Sequence, residues 1–412
     1  MSPTIAVVGT LDTKGREFVY LKSLIEANGC GTLVMDVGVF SQSELTPDIS
    51  QEAVAAAGGM PIPDFLATKD RSLAVRTMMQ GGARLLRDLY DQGLFSGIVA
   101  MGGGTGTNIV AGIMQAMPVG VPKVLVSTVA ARDMSQVIGS KDITLMHAVA
   151  DLQGLNFMTR KIIGDAAAAI VGMVQAACKI VPEGRVVGMT SYGPLNQCAF
   201  LVADMLADYG YEVVPFHAVG PGSMSMEDLI DQGLIHGVVD LSLHEFADQI
   251  HGGYCANIGP KRLETAGRKG IPHVILPGGL DMIAFECTSL DGMPEHLRDR
   301  RFLAHDFRSF VRTTAEDLVL LASVIAEKLN QAASPPTVVL PLGGWSKADS
   351  PGAPFFDLEL DRVFIKELKA RIKTRISVIE VDANINDPLC ARTVVEELHS
   401  LMLACTRSHS KE

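Results

Sequence analysis

The sequence predicts an α/β protein built as two doubly wound parallel-sheet lobes related by an internal duplication. Three observations carry this prediction. Short β-branched runs alternate with segments of helical period along the chain, the pattern of a parallel sheet covered by helices. Residues 91–101 (DQGLFSGIVAM) align with 231–241 (DQGLIHGVVDL), with six of eleven positions identical. Further matches recur in the same order: Val7-Val8-Gly9 with Val186-Val187-Gly188, and 120–126 with 270–276.

Ile5-Ala6-Val7-Val8 is a short apolar run, as expected of a strand covered on both faces. Helical spacing over 17–28 puts Phe18, Leu21, Leu24 and Ile25 on one face, and Gly29 ends the helix. A second strand is expected over 32–35 and a long amphipathic helix over 73–91. Two more strands follow at 97–101 and 123–127. The Ala-rich stretch 166–178 is too short to span a bilayer and reads as a buried helix. A Pro/Gly hinge at 179–184 is expected to separate lobe one (1–182) from lobe two (183–412). Lobe two repeats the plan with strands at 185–190 and 211–216. It then adds strands at 337–340 and 376–381 and helices at 360–373 and 392–403, with a frayed tail over 406–412.

A chain of 412 residues can bury a sizeable core without disulfide or metal staples. Its net charge of −11 argues against an electrostatic nucleic-acid binder. Seven widely spaced cysteines without a CxxC pair make no disulfide framework and no zinc ribbon, and fit a reducing cytosol. The N-terminus has no basic segment of the kind that opens a signal peptide. The 40 glycines are about a tenth of the chain, against a usual ~7%. Their clusters are therefore the places to look for ligands.

In an open parallel sheet, ligands bind beyond the carboxyl ends of the strands. After the first strand comes Gly9-Thr10-Leu11-Asp12-Thr13-Lys14-Gly15. Thr10, Thr13 and Lys14 are phosphate donors, the helix N-terminus attracts anions, and Asp12 is placed to hold Mg2+. The plainer alternative is a turn capped by Asp12 or Thr13. After the strand at 97–101 comes Gly102-Gly103-Gly104-Thr105-Gly106-Thr107. Four glycines in five positions cost backbone entropy but let N–H groups line an anion nest. Asp36, followed by Val37-Gly38, is placed to accept ribose hydroxyls, and Thr128 adds a hydroxyl.

Lobe two replaces these groups. His217 aligns with Asp36, Ser242-Leu243-His244-Glu245 with the glycine run, and Pro277-Gly278 with Ser127-Thr128, shortly before Asp281. His217, His244, Glu245 and Asp281 are expected to converge on a cleft as acid/base or metal groups. Ser191-Tyr192-Gly193 and Asn257 are further candidates, and Asp382, Asn384, Asn386 and Asp387 read as a solvated turn. No GxSxG, HExxH or kinase motif is present.

The glycine run looks like the phosphate loop of tubulin-like proteins, but the turn after the first strand and the duplication do not fit that family. The chain as a whole resembles the UPF0261 family of Tm-1-like ATP-binding proteins. The resemblance rests on residues 9–15, Asp36-Val37-Gly38, 101–107, 277–281 and Gly343-Gly344-Trp345. It implies two Rossmann-like subdomains, ATP with Mg2+ in the first, and a homodimer. Carried over to this chain, phosphate contacts fall on 10–14 and 102–107. The family's longer plant members carry an added TIM-barrel-like domain, and the antiviral role of one of them is not expected here. The reading is then a cytosolic ATP-binding enzyme of small-molecule metabolism, with a substrate cleft between the lobes. Its alternatives are a non-catalytic nucleotide-binding module, and a lyase, isomerase or hydrolase whose anion site holds a phosphorylated or carboxylated substrate.

Overall fold

The computed structural model describes residues 2–40, 45–176, 178 and 181–409. Two compact units are present, Met1–Ile180 and Val181–Glu412. Residues 179 and 180 of the expected hinge lie outside the described residues.

The first unit runs β1 (Thr4–Gly9), α1 (Leu11–Ala27), β2 (Gly31–Asp36), α2 (Gln51–Ala57), α3 (Ile62–Thr68) and α4 (Arg71–Asp91). It continues with β3 (Gly97–Gly102), α5 (Gly104–Gln115), β4 (Lys123–Ser127), α6 (Ser135–Ile138), β5 (Thr144–His147) and α7 (Phe157–Ala176). One sheet has the order β2-β1-β3-β4-β5, and every pairing is parallel. Ile5 and Val7 of β1 pack with Phe18 and Leu21 of α1 and with Ile163 and Ile170 of α7. Ala6 and Val8 face the other way, onto Met78 of α4 and Ile113 of α5. Burial on both faces is why β1 carries no polar alternation. The winding reverses between β1 and β3, so their carboxyl ends flank the crevice where doubly wound sheets bind ligands.

The second unit runs β6 (Arg185–Ser191), α8 (Asn196–Asp208), β7 (Tyr211–His217), α9 (Pro221–Asp231), β8 (Gly237–Ser242), α10 (His244–His251), α11 (Thr265–Lys269) and β9 (His273–Gly278). After β10 (Met282–Phe285), β11 (Phe302–Ala304) and β12 (Ser309–Arg312) come α12 (Ala315–Gln331), β13 (Thr337–Pro341), α13 (Leu358–Arg371), β14 (Ser377–Val381) and α14 (Pro388–His409). The main sheet has the order β14-β13-β9-β8-β6-β7, all parallel. Its β7-β6-β8-β9 portion repeats the β2-β1-β3-β4 order of the first unit, so both lobes are Rossmann-like and share one plan. Val187 and Met189 pack with Val202 of α8 and Leu398 of α14. On the opposite face, Ile275, Val338 and Leu340 pack with Leu321 of α12 and Phe364 of α13.

Several boundaries differ from expectation, for tertiary reasons. Helix α1 begins at Leu11 because the Asp36 carboxylate accepts the Leu11 N–H at 3.1 Å, a cap supplied from the neighbouring strand. Helix α5 begins at Gly104, so the glycine run spans the end of β3, the N-cap Gly103 and the first helical turn. Helix α14 continues to His409, through part of the expected frayed tail, whose residues 410–412 lie outside the described residues. The small antiparallel sheet β10-β12-β11 was not anticipated. Residues 166–176 of the Ala-rich stretch lie in α7, where Ala166, Ala167, Ile170, Val171 and Val174 form a buried stripe; residue 177 lies outside the described residues. Among the described residues, no helix is long and apolar enough to cross a membrane.

Candidate functional site

The first unit holds a cavity of about 920 Å³ at the carboxyl ends of β1 and β3. Its wall includes Thr10, Asp12, Thr13, Lys14, Gly38, Gly103, Gly104, Thr105, Gly106 and Thr128. Ten sequence-predicted positions from four separate segments thus meet at one place. The other five lie behind it. Gly9 and Gly102 are positions of close packing: a Cβ would fall 1.9 Å from the Phe18 ring at Gly9, and 2.3 Å from the Thr107 nitrogen at Gly102. Leu11 is a core residue. Thr107 and Ser127 join hydroxyls at 2.8 Å, tying α5 to β4. Asp36 is buried, and its Oδ1 accepts from the N–H groups of Leu11 and Gly38. Burial still pushes its carboxyl above the usual range. It positions the loop and does not reach the cavity.

The glycine run therefore divides into two kinds. Gly102 is glycine because the backbone of the following helix α5 packs directly against it. Gly104 has nothing within 4 Å of a built Cβ, while Gly103 and Gly106 meet only Thr128 and Thr10 at 3.9 and 3.7 Å. None of the three has a positive φ. Neither backbone conformation nor internal packing requires glycine there. What remains is the space in front of them, at a helix start whose first N–H groups have no carbonyl one turn back.

Polar groups surround this surface. The Thr10 and Thr13 hydroxyls lie 3.2 Å apart. Lys14 donates to the Leu152 carbonyl at 2.7 Å from a non-helical kink in α1. Asp12 Oδ2 accepts from the Val39 and Phe40 N–H groups, each at 3.0 Å. Asp12 Oδ1 is buried with no hydrogen-bond partner. Sequence reasoning missed Arg71, which donates to the Thr105 hydroxyl at 2.8 Å, and Lys69 beside it. The N-cap Asp70 starts α4 and was the available signal for a helix start there. The far wall is apolar, with Phe65, Leu66, Ala74, Val75 and Ile109. One side thus suits an anion and the other a planar or apolar group.

The second unit has its own cavity, of about 700 Å³, lined among others by Tyr192, Gly193, His217, His305, Arg308 and Lys347. Of the four expected acid/base residues, only His217 lines it. His244, Glu245 and Asp281 are each fully buried. His244 stacks on Tyr192 with ring centres 4.2 Å apart, and Tyr192 in turn stacks on His217 at 5.6 Å. Glu245 accepts from Arg262 at 3.2 Å and from Ser223. Burial raises its carboxyl to about 7. Asp281 accepts from Ser346 at 2.7 Å, and burial together with the nearby Asp349 raises it to about 7. The four do not converge on the cavity: His217 lines it, His244 lies behind the Tyr192 ring that both histidines stack on, and Glu245 and Asp281 turn inward onto separate buried partners. Asn257 sits at φ 68° in a turn, and Asn384 donates to the carbonyls of Gly343 and Asp349.

Asp281 carries a pH prediction. A carboxyl raised in the folded state favours folding most below its unfolded value, and that contribution is lost as pH rises through the folded value. Between about pH 4 and about pH 7, thermal stability should therefore fall partly because the unfolded chain ionises Asp281 freely while the folded one resists a charge beside Asp349. Asp281→Asn keeps the acceptor for Ser346 and removes the charge. It should raise Tm at the higher pH and change it little at the lower, as read by scanning calorimetry.

Fold and site together define a doubly wound α/β protein of two lobes, with a glycine-lined cavity at the switch point of the first. The chain belongs to the UPF0261 family. Residues 3–179 match the Uncharacterised protein family (UPF0261) N-terminal domain, and 185–402 match the corresponding C-terminal domain. A UPF0261 protein of Clostridium tetani is 39% identical over 405 residues, covering 98% of this chain and all of that one. A UPF0261 protein of Brucella suis is 33% identical, covering 94% of this chain and 93% of that one. The ToMV resistance protein Tm-1(GCR237) of Solanum lycopersicum is 30% identical over 421 residues. That match covers 96% of this chain and 55% of the tomato protein.

Proposed function

We propose that this chain binds ATP with Mg2+ in the cavity of its first unit. The observation that carries the reading is the open face of Gly103, Gly104 and Gly106 at the start of α5. A surface with no steric need for glycine, facing a cavity and backed by helix N–H groups, fits phosphate oxygens. Lys14 and Arg71 supply cations, Thr10, Thr13 and Thr128 supply hydroxyls, and the apolar wall takes the base. Asp12 fits the metal, since its Oδ1 is buried and unpartnered while Oδ2 is held by two N–H groups. Bound Mg2+ would neutralise phosphate charge. The second unit's cavity is the place for a small second ligand, with His217, His305 and Lys347 in its wall. His244, Glu245 and Asp281 are not its acid/base set, because their partners are internal.

Thermal-shift measurements with ATP, ADP, each with and without Mg2+, and a panel of sugar phosphates test the reading. ATP with Mg2+ should raise Tm by several degrees. Asp12→Asn should shrink the part of the shift that depends on Mg2+ and leave the metal-free part. A shift produced by a sugar phosphate and not by ATP would overturn the nucleotide reading in favour of a phosphorylated substrate at the same glycines.

A further inference from the structure

We propose that His244, Asp248 and Cys255 form a buried site for a divalent metal ion of the zinc class in the second unit, independent of nucleotide binding. His244 opens α10, and Asp248 lies one turn later on the same face. Gly252 ends the helix at φ 67° and turns the chain back, which brings Cys255 to that face. One ligand atom from each residue lies within 4.8 Å of the others, and all three residues are buried.

The surroundings orient each donor as metal sites do. His244 Nδ1 lies 3.2 Å from the Gly279 carbonyl, an acceptor that calls for a proton on that nitrogen. The lone pair then sits on Nε2, which is buried, has no hydrogen-bond partner and lies 3.6 Å from Asp248 Oδ1. Two electron-rich atoms facing each other in the interior leave a place for a cation between them. Asp248 is fixed in turn: Oδ1 accepts from Ala284 N–H at 2.8 Å and Oδ2 from Cys255 N–H at 2.7 Å. A nitrogen, a carboxylate oxygen and a sulfur select zinc or its analogues over magnesium or calcium, which prefer oxygen alone. A thiolate and a carboxylate balance a dication, so the occupied site adds no net charge to the core. The Tyr192 ring stacks on His244, and its buried hydroxyl faces the Cys255 side chain, which makes it a candidate fourth donor. The enclosure marks a structural site, one that pins α10 and the 252–255 turn against β10.

Cobalt(II) tests this on the full-length protein after chelator treatment. One equivalent should bind per chain, with a thiolate-to-cobalt charge-transfer band and tetrahedral visible bands, and zinc should displace it. The band should vanish in Cys255→Ser and persist in Cys178→Ser, whose thiol is exposed. X-ray absorption of the wild-type cobalt protein should show one sulfur among nitrogen and oxygen ligands, a readout that does not depend on any variant folding. No charge-transfer band at one equivalent, a band that survives Cys255→Ser, or two or more sulfur ligands would each overturn the proposal.

Discussion

Replacing Arg262 with methionine should unfold the second unit under conditions where the wild type is stable. Arg262 is fully buried. It reaches Asp240 at 2.6 Å, Glu245 at 3.2 Å and Glu227 at 3.9 Å, and donates to the Ser242 carbonyl. Burial works against the Asp240 charge, yet Arg262 and His273 hold its carboxyl well below the usual range. Burial raises Glu227 and Glu245 instead. One guanidinium thus serves three interior carboxyls, in α9, in β8 and in the first turn of α10. Removing one partner of a buried ion pair typically costs about 3–5 kcal/mol, because the other charge is left uncompensated. That is a large share of the stability of a typical domain. Trp345 is the single tryptophan and is buried in this unit, so its fluorescence in a urea titration reports the loss directly. Arg262→Lys should rescue little, since an ammonium cannot span the carboxylates as the planar fork does. Adding Glu245→Gln to Arg262→Met should recover part of the stability by removing one stranded charge. A melt indistinguishable from wild type would show that the cluster is held by protonated carboxyls alone.

Gly103→Asp should abolish the proposed nucleotide binding and leave the fold untouched. A Cβ at this position meets nothing closer than 3.9 Å, and the backbone φ of −75° suits any residue. The unliganded Tm should therefore shift by no more than a typical surface change, about 0.5 kcal/mol. The aspartate would place a negative charge and three heavy atoms where phosphate oxygens are proposed. At a hundredfold excess over Kd, a ligand stabilises the folded state by about 2.7 kcal/mol. All of that should disappear in the variant, so calorimetry with ATP and Mg2+ should give no heat of binding. Gly102→Ala makes the contrast: its Cβ would collide with the Thr107 backbone, so it should lower the unliganded Tm before any ligand is added.

Much of this was legible in the sequence because the relevant physics is local. Doubly buried strands read as short apolar runs, and a glycine cluster between strand and helix marks the wall of a strand-end cavity. The matched punctuation at Gly97 and Gly237 marks equivalent strands β3 and β8 in the two units. The cavity of the first unit follows from the rule that ligands sit beyond strand ends, and ten of fifteen expected residues line it. The other part of the site was illegible for a clear reason. Arg71 belongs to α4, which reaches the cavity only after the α2–α3 insertion between β2 and β3, and no local pattern encodes where an insertion folds back.

In the second unit the limit is sharper. Strand-end position placed His217, His244, Glu245 and Asp281 as candidates, but position does not fix direction, and only His217 lines the cavity. Arg262, which claims Glu245, lies seventeen residues away in a loop with no periodic signal. Asp281 is turned inward beside Ser346, 65 residues further on. The antiparallel β10-β12-β11 sheet, whose residues Met282, Leu303 and Phe310 help wall the second cavity, arises from pairings that no single segment announces. The sequence by itself determined the two-lobed α/β plan, its duplication and the place of the glycine cradle, since each follows from period, spacing and residue type. Only the tertiary structure decided which polar side chains meet a cavity and which neutralise one another in the core. That choice depends on long-range partners, and a buried charge takes the nearest counter-charge the fold brings to it.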